Sequence, residues 1–262
     1  MRKITNILHF SIVSAVIIFS MAACAYNTDD DSLDGPTYFG KTLRIMNQQT
    51  WTLNMNAQRL SDVYNRYTGN SVVNAFIPEK SSDPYDLDHT IYVDTVGQGQ
   101  IRNGILNITI RELTDSELLN WEELSEYYFH EWWLIDNKSK KLTCYPSDVK
   151  GNLVTLVLGN NMSSSNLLNR QKYNATSSSF TMETVYYVYV DKDCIINGES
   201  GMGTWYGEYF FITDPLNIRL TEGWNAICKI TTYNQSGNAM ISMSRKNPGD
   251  FRWAVYPNPY AP

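Results

Sequence analysis

Histidine is scarce in this chain of 262 residues. Of the three present, His9 lies in the apolar start, so only His89 and His130 belong to the body. That is too few for a His-rich metal site. His130-Glu131 opens the zinc-protease pattern H-E-x-x-H, but Leu134 stands where the second imidazole is needed, so two rings cannot meet on one helix face. Cysteine is sparse too: there are four, and none forms a C-x-x-C pair. Positive charge is in deficit, with 21 Lys+Arg against 27 Asp+Glu and a net charge of −6. Such a chain has no electrostatic footprint for nucleic acid, which needs clustered Lys and Arg. Long apolar runs are missing as well. The best, Ile7 to Phe19, is diluted by His9, Ser11 and Ser14 and falls short of the about 20 apolar residues of a spanning helix.

Catalytic patterns fail on inspection. Gly198-Glu199-Ser200-Gly201-Met202-Gly203 approaches the nucleophile elbow G-x-S-x-G, but Met202 replaces its last glycine and the segment lies between strands rather than before a helix. Gly201-Met202-Gly203 has no βαβ context and is no dinucleotide fingerprint. Asp83, Asp86 and Asp88 crowd near His89. Clustered carboxylates can hold calcium or work on a sugar, yet neighbours on a flexible loop rarely hold the required geometry. No cofactor or metal is implied.

What is present begins at the amino terminus. Arg2 and Lys3 precede the short apolar run, and small residues close it at Met21-Ala22-Ala23-Cys24. A charged start, an apolar core and a small-residue exit make a secretory signal. The small residues let the chain lie extended in a peptidase groove, and the Cys that follows resembles the lipobox of bacterial lipoproteins, with Met21 in place of the usual Leu. The resemblance implies cleavage before Cys24, a diacylglycerol on its sulfur and acylation of the new amino terminus. Several acyl chains make such an anchor stable, at about 0.8 kcal/mol per buried methylene. Ala23-Cys24-Ala25 also fits ordinary signal peptidase, which would release a soluble protein, and an uncut anchor is the third reading.

Removing residues 1–23, with two positive charges and no acid, takes the net charge from −6 to −8. A membrane link is therefore covalent rather than electrostatic. Residues 24–36, with Asp29, Asp30, Asp31 and Asp34, read as a flexible acidic tether. They could imitate a calcium loop, but Lys41 sits where the closing Glu belongs. Cys144, Cys194 and Cys228 remain. An exported chain can form one disulfide, Cys194–Cys228 if their strands are neighbours; the alternative is three buried thiols.

Strands and tight turns dominate the body. Gln100 to Ile110 is the clearest hairpin: Asn103-Gly104 suits a type I′ turn, and Leu106, Ile108 and Ile110 share one face. Thr114-Asp115-Ser116-Glu117 has the capping-box pattern, and Leu118, Trp121, Leu124 and Tyr128 follow at helical spacing, predicting a helix over 115–131. Asn152 to Leu158 is almost wholly apolar and reads as a buried strand. Residues 159–179, rich in Asn and Ser, read as a linker or loop. The predicted fold is all-β, with antiparallel sandwich-like sheets and one helix near the middle. Two modules, 37–158 and an aromatic-rich 180–262, are favoured over one large domain. The layout resembles uncharacterised spirochaete-type lipoproteins.

Three functions follow as expectations. The first is a non-catalytic lipoprotein of the cell envelope, attached to a membrane through lipid on Cys24 and binding protein or carbohydrate. Its candidate contact is Trp205-Tyr206, since planar rings supply contact area at low entropy cost. The second is a lipid-anchored, carboxylate-dependent hydrolase acting on glycans. The third is a structural or assembly subunit whose partner completes an exposed strand edge.

Overall fold

Alternation of apolar and polar residues builds the strands. In β2 (Thr42–Leu53) Leu43 and Ile45 point inward while Arg44 and Met46 point out. A bulge between Ile45 and Gln48, with Asn47 at φ 56°, shifts the register and is held by the Asn47 N–H donating to Asn107 Oδ1 at 2.9 Å. The predicted hairpin is β5 (Tyr92–Arg102) with β6 (Ile105–Ile110), closed by Asn103 and Gly104 at φ 51° and 75°.

A computed structural model describes residues 37–53, 64–78, 92–128, 142–160, 167–175, 179–205, 208–234, 238–245 and 251–255. Further strands are β1 (Thr37–Phe39), β3 (Tyr64–Arg66), β4 (Ser71–Pro78), β7 (Leu119–Asn120), β8 (Thr143–Tyr145) and β9 (Lys150–Leu158). The second half adds β10 (Leu167–Ala175), β11 (Ser179–Val190), β12 (Cys194–Gly198), β13 (Gly201–Trp205), β14 (Glu208–Ile212), β15 (Leu216–Leu220), β16 (Gly223–Asn234), β17 (Ala239–Ser244) and β18 (Arg252–Val255). The fold is all-β, with one α-helix among the described residues, α1 (Trp121–Tyr128).

The main sheet does not stay open as a sandwich layer would. It runs β11-β10-β18-β2-β6-β5-β4-β9, and β9 pairs back onto both β10 and β11, closing eight strands into a barrel. β10 and β9 share one edge of β11 end to end, while β16 takes the other edge. Apolar side chains fill the barrel, including Leu43, Val73, Ile101, Leu106, Ile108, Leu156, Tyr187 and Trp253. Outward positions such as Arg44, Gln98, Gln100 and Thr109 are exposed. This apolar-in, polar-out order is the reverse of a membrane-spanning barrel. Among the described residues no helix is long and apolar enough to cross a membrane.

A second core lies on the other face of β11. Val185, Tyr187 and Tyr189 enter the barrel, while Val188 and Val190 enter the second core. There they meet Trp121 and Leu124 of α1, Phe210 and Ile212 of β14, and the three-stranded sheet β15-β12-β8. Serving two cores explains why this strand and β9 read as near-continuous apolar runs.

Three expectations change. The helix predicted over 115–131 is divided: Asp115–Glu117 make only a 3₁₀ turn, Leu119 and Asn120 pair with Gly151 and Lys150 of β9, and α1 starts at Trp121. Asn120 and Glu123 cap it reciprocally, at 2.9 and 3.4 Å between side chain and backbone N–H. Residues 129–131 lie outside the described residues. The stretch 159–179 read as a linker contains β10, a strand bonded to β9, β11 and β18. Its buried positions hold Arg170 and Gln171 beside Leu168 and Tyr173, which conceals the strand pattern. Finally, the two expected modules share one barrel, and the C-terminal β18 returns to pair in parallel with β2. Pro36–Pro262 is one compact unit.

Candidate functional site

Among the described residues, exposed apolar side chains gather on the sheet that extends beyond the barrel, β16-β17-β14-β13. Phe210, Ile212 and Ile241 point into the second core, so their neighbours in sequence point away from it. Register aligns them: Met202 faces Phe211, Phe211 faces Met240 across a parallel pair, and Thr204 faces Tyr209. Met202, Tyr209, Phe211 and Met240 are 44, 49, 38 and 43 % exposed. Contiguous apolar side chains of this size on a sheet face mark an interaction surface. β13 ends the sheet, and its outer edge pairs with no strand among the described residues.

The predicted contact Trp205 closes β13 opposite Glu208, at the border of this face, but its side chain and all of Tyr206 lie outside the described residues. What sequence reasoning missed is the row itself. Along the chain Thr204–Thr213 reads as a single strand, and only the antiparallel pairing of β13 with β14 shows that Met202 and Phe211 meet. The alternation Tyr209, Phe210, Phe211, Ile212 was the available signal, but it cannot say which face is covered.

Charges gather at one end of the barrel. Lys41 Nζ lies 3.0 Å from Glu112 Oε1 and 2.6 Å from Glu222 Oε1. The Tyr189 hydroxyl donates to Glu112 at 3.2 Å, and the Trp224 indole N–H donates to the Arg111 carbonyl at 3.1 Å. Arg111 forks onto Glu117, which also accepts from the Thr114 N–H at 2.7 Å. Hydrogen bonds from Lys41 hold the Glu112 carboxyl below its ordinary range, and Arg111 holds that of Glu117 at about 2. Burial, reinforced by Glu112, lifts the Tyr189 hydroxyl to about 12. A general acid needs the opposite, a carboxyl raised toward neutrality. This cluster ties β2, the 110–117 segment and β16 together, and offers no acid–base chemistry at neutral pH.

Inside the barrel, strand register brings three donors together. Arg170 of β10 lies opposite Val185 of β11 and Trp253 of β18. Tyr187 stacks on Trp253 with ring centroids 6.0 Å apart and an interplanar angle of 11°. Arg170 is 3 % exposed, and its one hydrogen bond is a long one, 3.4 Å from Nη1 to the Tyr187 hydroxyl oxygen. Arg170 Nε and Trp253 Nε1 have no hydrogen-bond partner among the described residues. Burial raises the Tyr187 hydroxyl above its ordinary value, against the pull of Arg170. Buried charge without a carboxylate partner costs stability. The Arg170 guanidinium and the Trp253 indole N–H can only donate, and the Tyr187 hydroxyl oxygen accepts from Arg170.

The other predicted residues separate. Cys24, the acidic tether, Asp83, Asp86, Asp88, His89 and His130 lie outside the described residues. Cys194 and Cys228 are not strand neighbours: Cys194 of β12 enters the second core, while Cys228 of β16 enters the barrel. The expected Cys194–Cys228 bridge is therefore excluded, and Cys144, Cys194 and Cys228 are all buried. Among the described residues no three His, Cys, Asp or Glu side chains are grouped to hold a metal. The chain matches no protein-family model, no curated protein and no solved structure.

Proposed function

We propose that this is an exported, non-catalytic binding protein of the bacterial cell envelope, tethered to a membrane by lipid on Cys24. The acidic stretch 24–36 spaces the barrel from the bilayer, and the β13–β14–β17 face engages a protein partner. One observation carries the binding reading: Met202, Tyr209, Phe211 and Met240 lie side by side and exposed on a face whose reverse side is packed core. A methionine-rich surface adapts to protein side chains, and the adjoining edge of β13 can accept a partner strand. Sugar recognition would call for polar groups interleaved with the rings.

Two measurements test this. Intact mass spectrometry of the protein from its native membrane, beside Cys24→Ala, is expected to give a chain starting at acylated Cys24 and an unprocessed variant. A chain starting at Tyr26 without lipid overturns the tether. For the face, a photocrosslinking residue at Met202 is expected to trap one defined protein partner, and Phe211→Asp is expected to abolish the adduct. A crosslinker at Gln100, exposed on the barrel wall, serves as control. Equal adducts from both positions, or none from Met202, overturn the binding face.

A further inference from the structure

Three cysteines remain in the body once Cys24 is set aside, and the fold treats them differently. Cys228 stands alone in the barrel core, where burial pushes its thiol up to about 12. Cys144 and Cys194 lie on adjacent antiparallel strands. The register sets Cys144 opposite Ile196, and Cys194 is two residues from Ile196 along β12. Residues two apart on a strand share a face, and both thiols enter the second core. The two thiols are near enough to act on each other's titration, Cys144 down and Cys194 up. A disulfide needs its sulfurs brought to about 2.05 Å with the Cβ vectors converging. Diagonal neighbours on adjacent strands lie about 7–8 Å apart, so the bridge needs the two strands to shift toward each other. β8 is a three-residue strand and Cys194 opens β12, so both cysteines sit where the backbone can yield.

We propose that Cys144 and Cys194 are joined by a disulfide in the exported protein. This rests on the export reading, since cytosolic thiols are kept reduced and exported ones are oxidised. The chemistry is thiol–disulfide exchange with a disulfide donor as the second strand pair forms, before the core closes over the sulfurs. One protein thiolate attacks the donor disulfide and releases one donor thiol. The second protein thiolate then attacks the mixed disulfide and releases the other. Two protein thiols lose two protons and two electrons, and one donor disulfide becomes two donor thiols. The bridge closes a loop of about 50 residues that carries β9, β10 and β11, the three strands at which the barrel seals. It thereby locks the segment entering the barrel to the segment leaving it. Cys228 remains the single free thiol.

The test is thiol trapping by acid quench of whole cells and unfolding in denaturant with N-ethylmaleimide, followed by purification and peptide mapping. The expected result is one maleimide, on Cys228, and a linked Cys144–Cys194 peptide pair lighter by two hydrogens than its separate parts. Maleimide on all three body cysteines of processed protein overturns the proposal. Failure of the export reading looks different: an uncleaved chain with maleimide on Cys24. In that event the chain is reduced, unfolded and refolded in oxidised and reduced glutathione. Bridging of Cys144 to Cys194 under those conditions supports the pairing, and a bridge to Cys228 or none at all overturns it. Reduction of the bridged protein is expected to lower its melting temperature by about 8–16 °C, and the Cys144→Ser, Cys194→Ser double variant to melt with the reduced form.

Discussion

Replacing Arg170 by methionine is expected to make the protein more stable, and the reason is local. Arg170 is 3 % exposed, its Nε has no hydrogen-bond partner among the described residues, and its contact with the Tyr187 hydroxyl is 3.4 Å long. Substituting apolar residues for buried charges is neutral or stabilising by about 1–4 kcal/mol. Methionine keeps the aliphatic stem that packs against Trp253 and Tyr187, so the repacking cost stays below about 1.5 kcal/mol. The net gain is then about 1–2 kcal/mol, or about 2–8 °C in melting temperature for a domain of this size. Urea unfolding of the purified protein, followed by tryptophan fluorescence, reads the change directly. The companion Tyr187→Phe removes the one acceptor of the guanidinium and is expected to cost about 1–3 kcal/mol. A loss of more than about 1 kcal/mol in Arg170→Met, with an unchanged denaturant slope, would refute the reasoning: the guanidinium would then have a favourable partner.

Three further outcomes follow from the geometry. Gly99→Ala is expected to destabilise by about 1–3 kcal/mol, because its Cβ would collide with the Asn107 carbonyl oxygen and Ile108 Cα, both backbone atoms of β6; a thermal melt unchanged within error would contradict this. Leu106→Ala, at a fully buried barrel position, is expected to cost about 2–5 kcal/mol by denaturant titration, against a much smaller cost at exposed Val72. Glu117→Gln is expected to cost about 0.5–1 kcal/mol at neutral pH. Its carboxyl lies at about 2 in the fold against an ordinary 4.5, so its contribution is complete above 4.5 and disappears as pH falls toward 2. Unfolding titrations of parent and variant that converge on the acidic side bear this out, and a gap that persists at about pH 2 rules it out.

Much of the barrel is legible along the chain. The alternation Leu106, Ile108, Ile110 with Asn107 and Thr109 names the faces of β6, and Asn103-Gly104 supplies the positive φ that its hairpin needs. The apolar run of β9 correctly signals a buried strand. The helix was legible only in part. Thr114 to Glu117 has a capping pattern, yet Arg111 and a strand contact claim that segment, and the cap that starts α1 is Asn120 with Glu123. β10 was not legible, because its buried positions on both faces include Arg170 and Gln171 and its composition matches that of a loop.

The division has a physical cause. Period-two hydrophobicity, turn glycines and capping side chains act over a few residues, so the sequence alone determined the all-β class, the main hairpin and the inner faces of its strands. Partner choice has no local signature. The return of β18 to β2, the seal of β9 against β10 and β11, the meeting of Cys144 with Cys194 and the exposed row from Met202 to Met240 each join residues far apart in the chain. Only burial of two shared cores, working against the entropy of closing long loops, decided those.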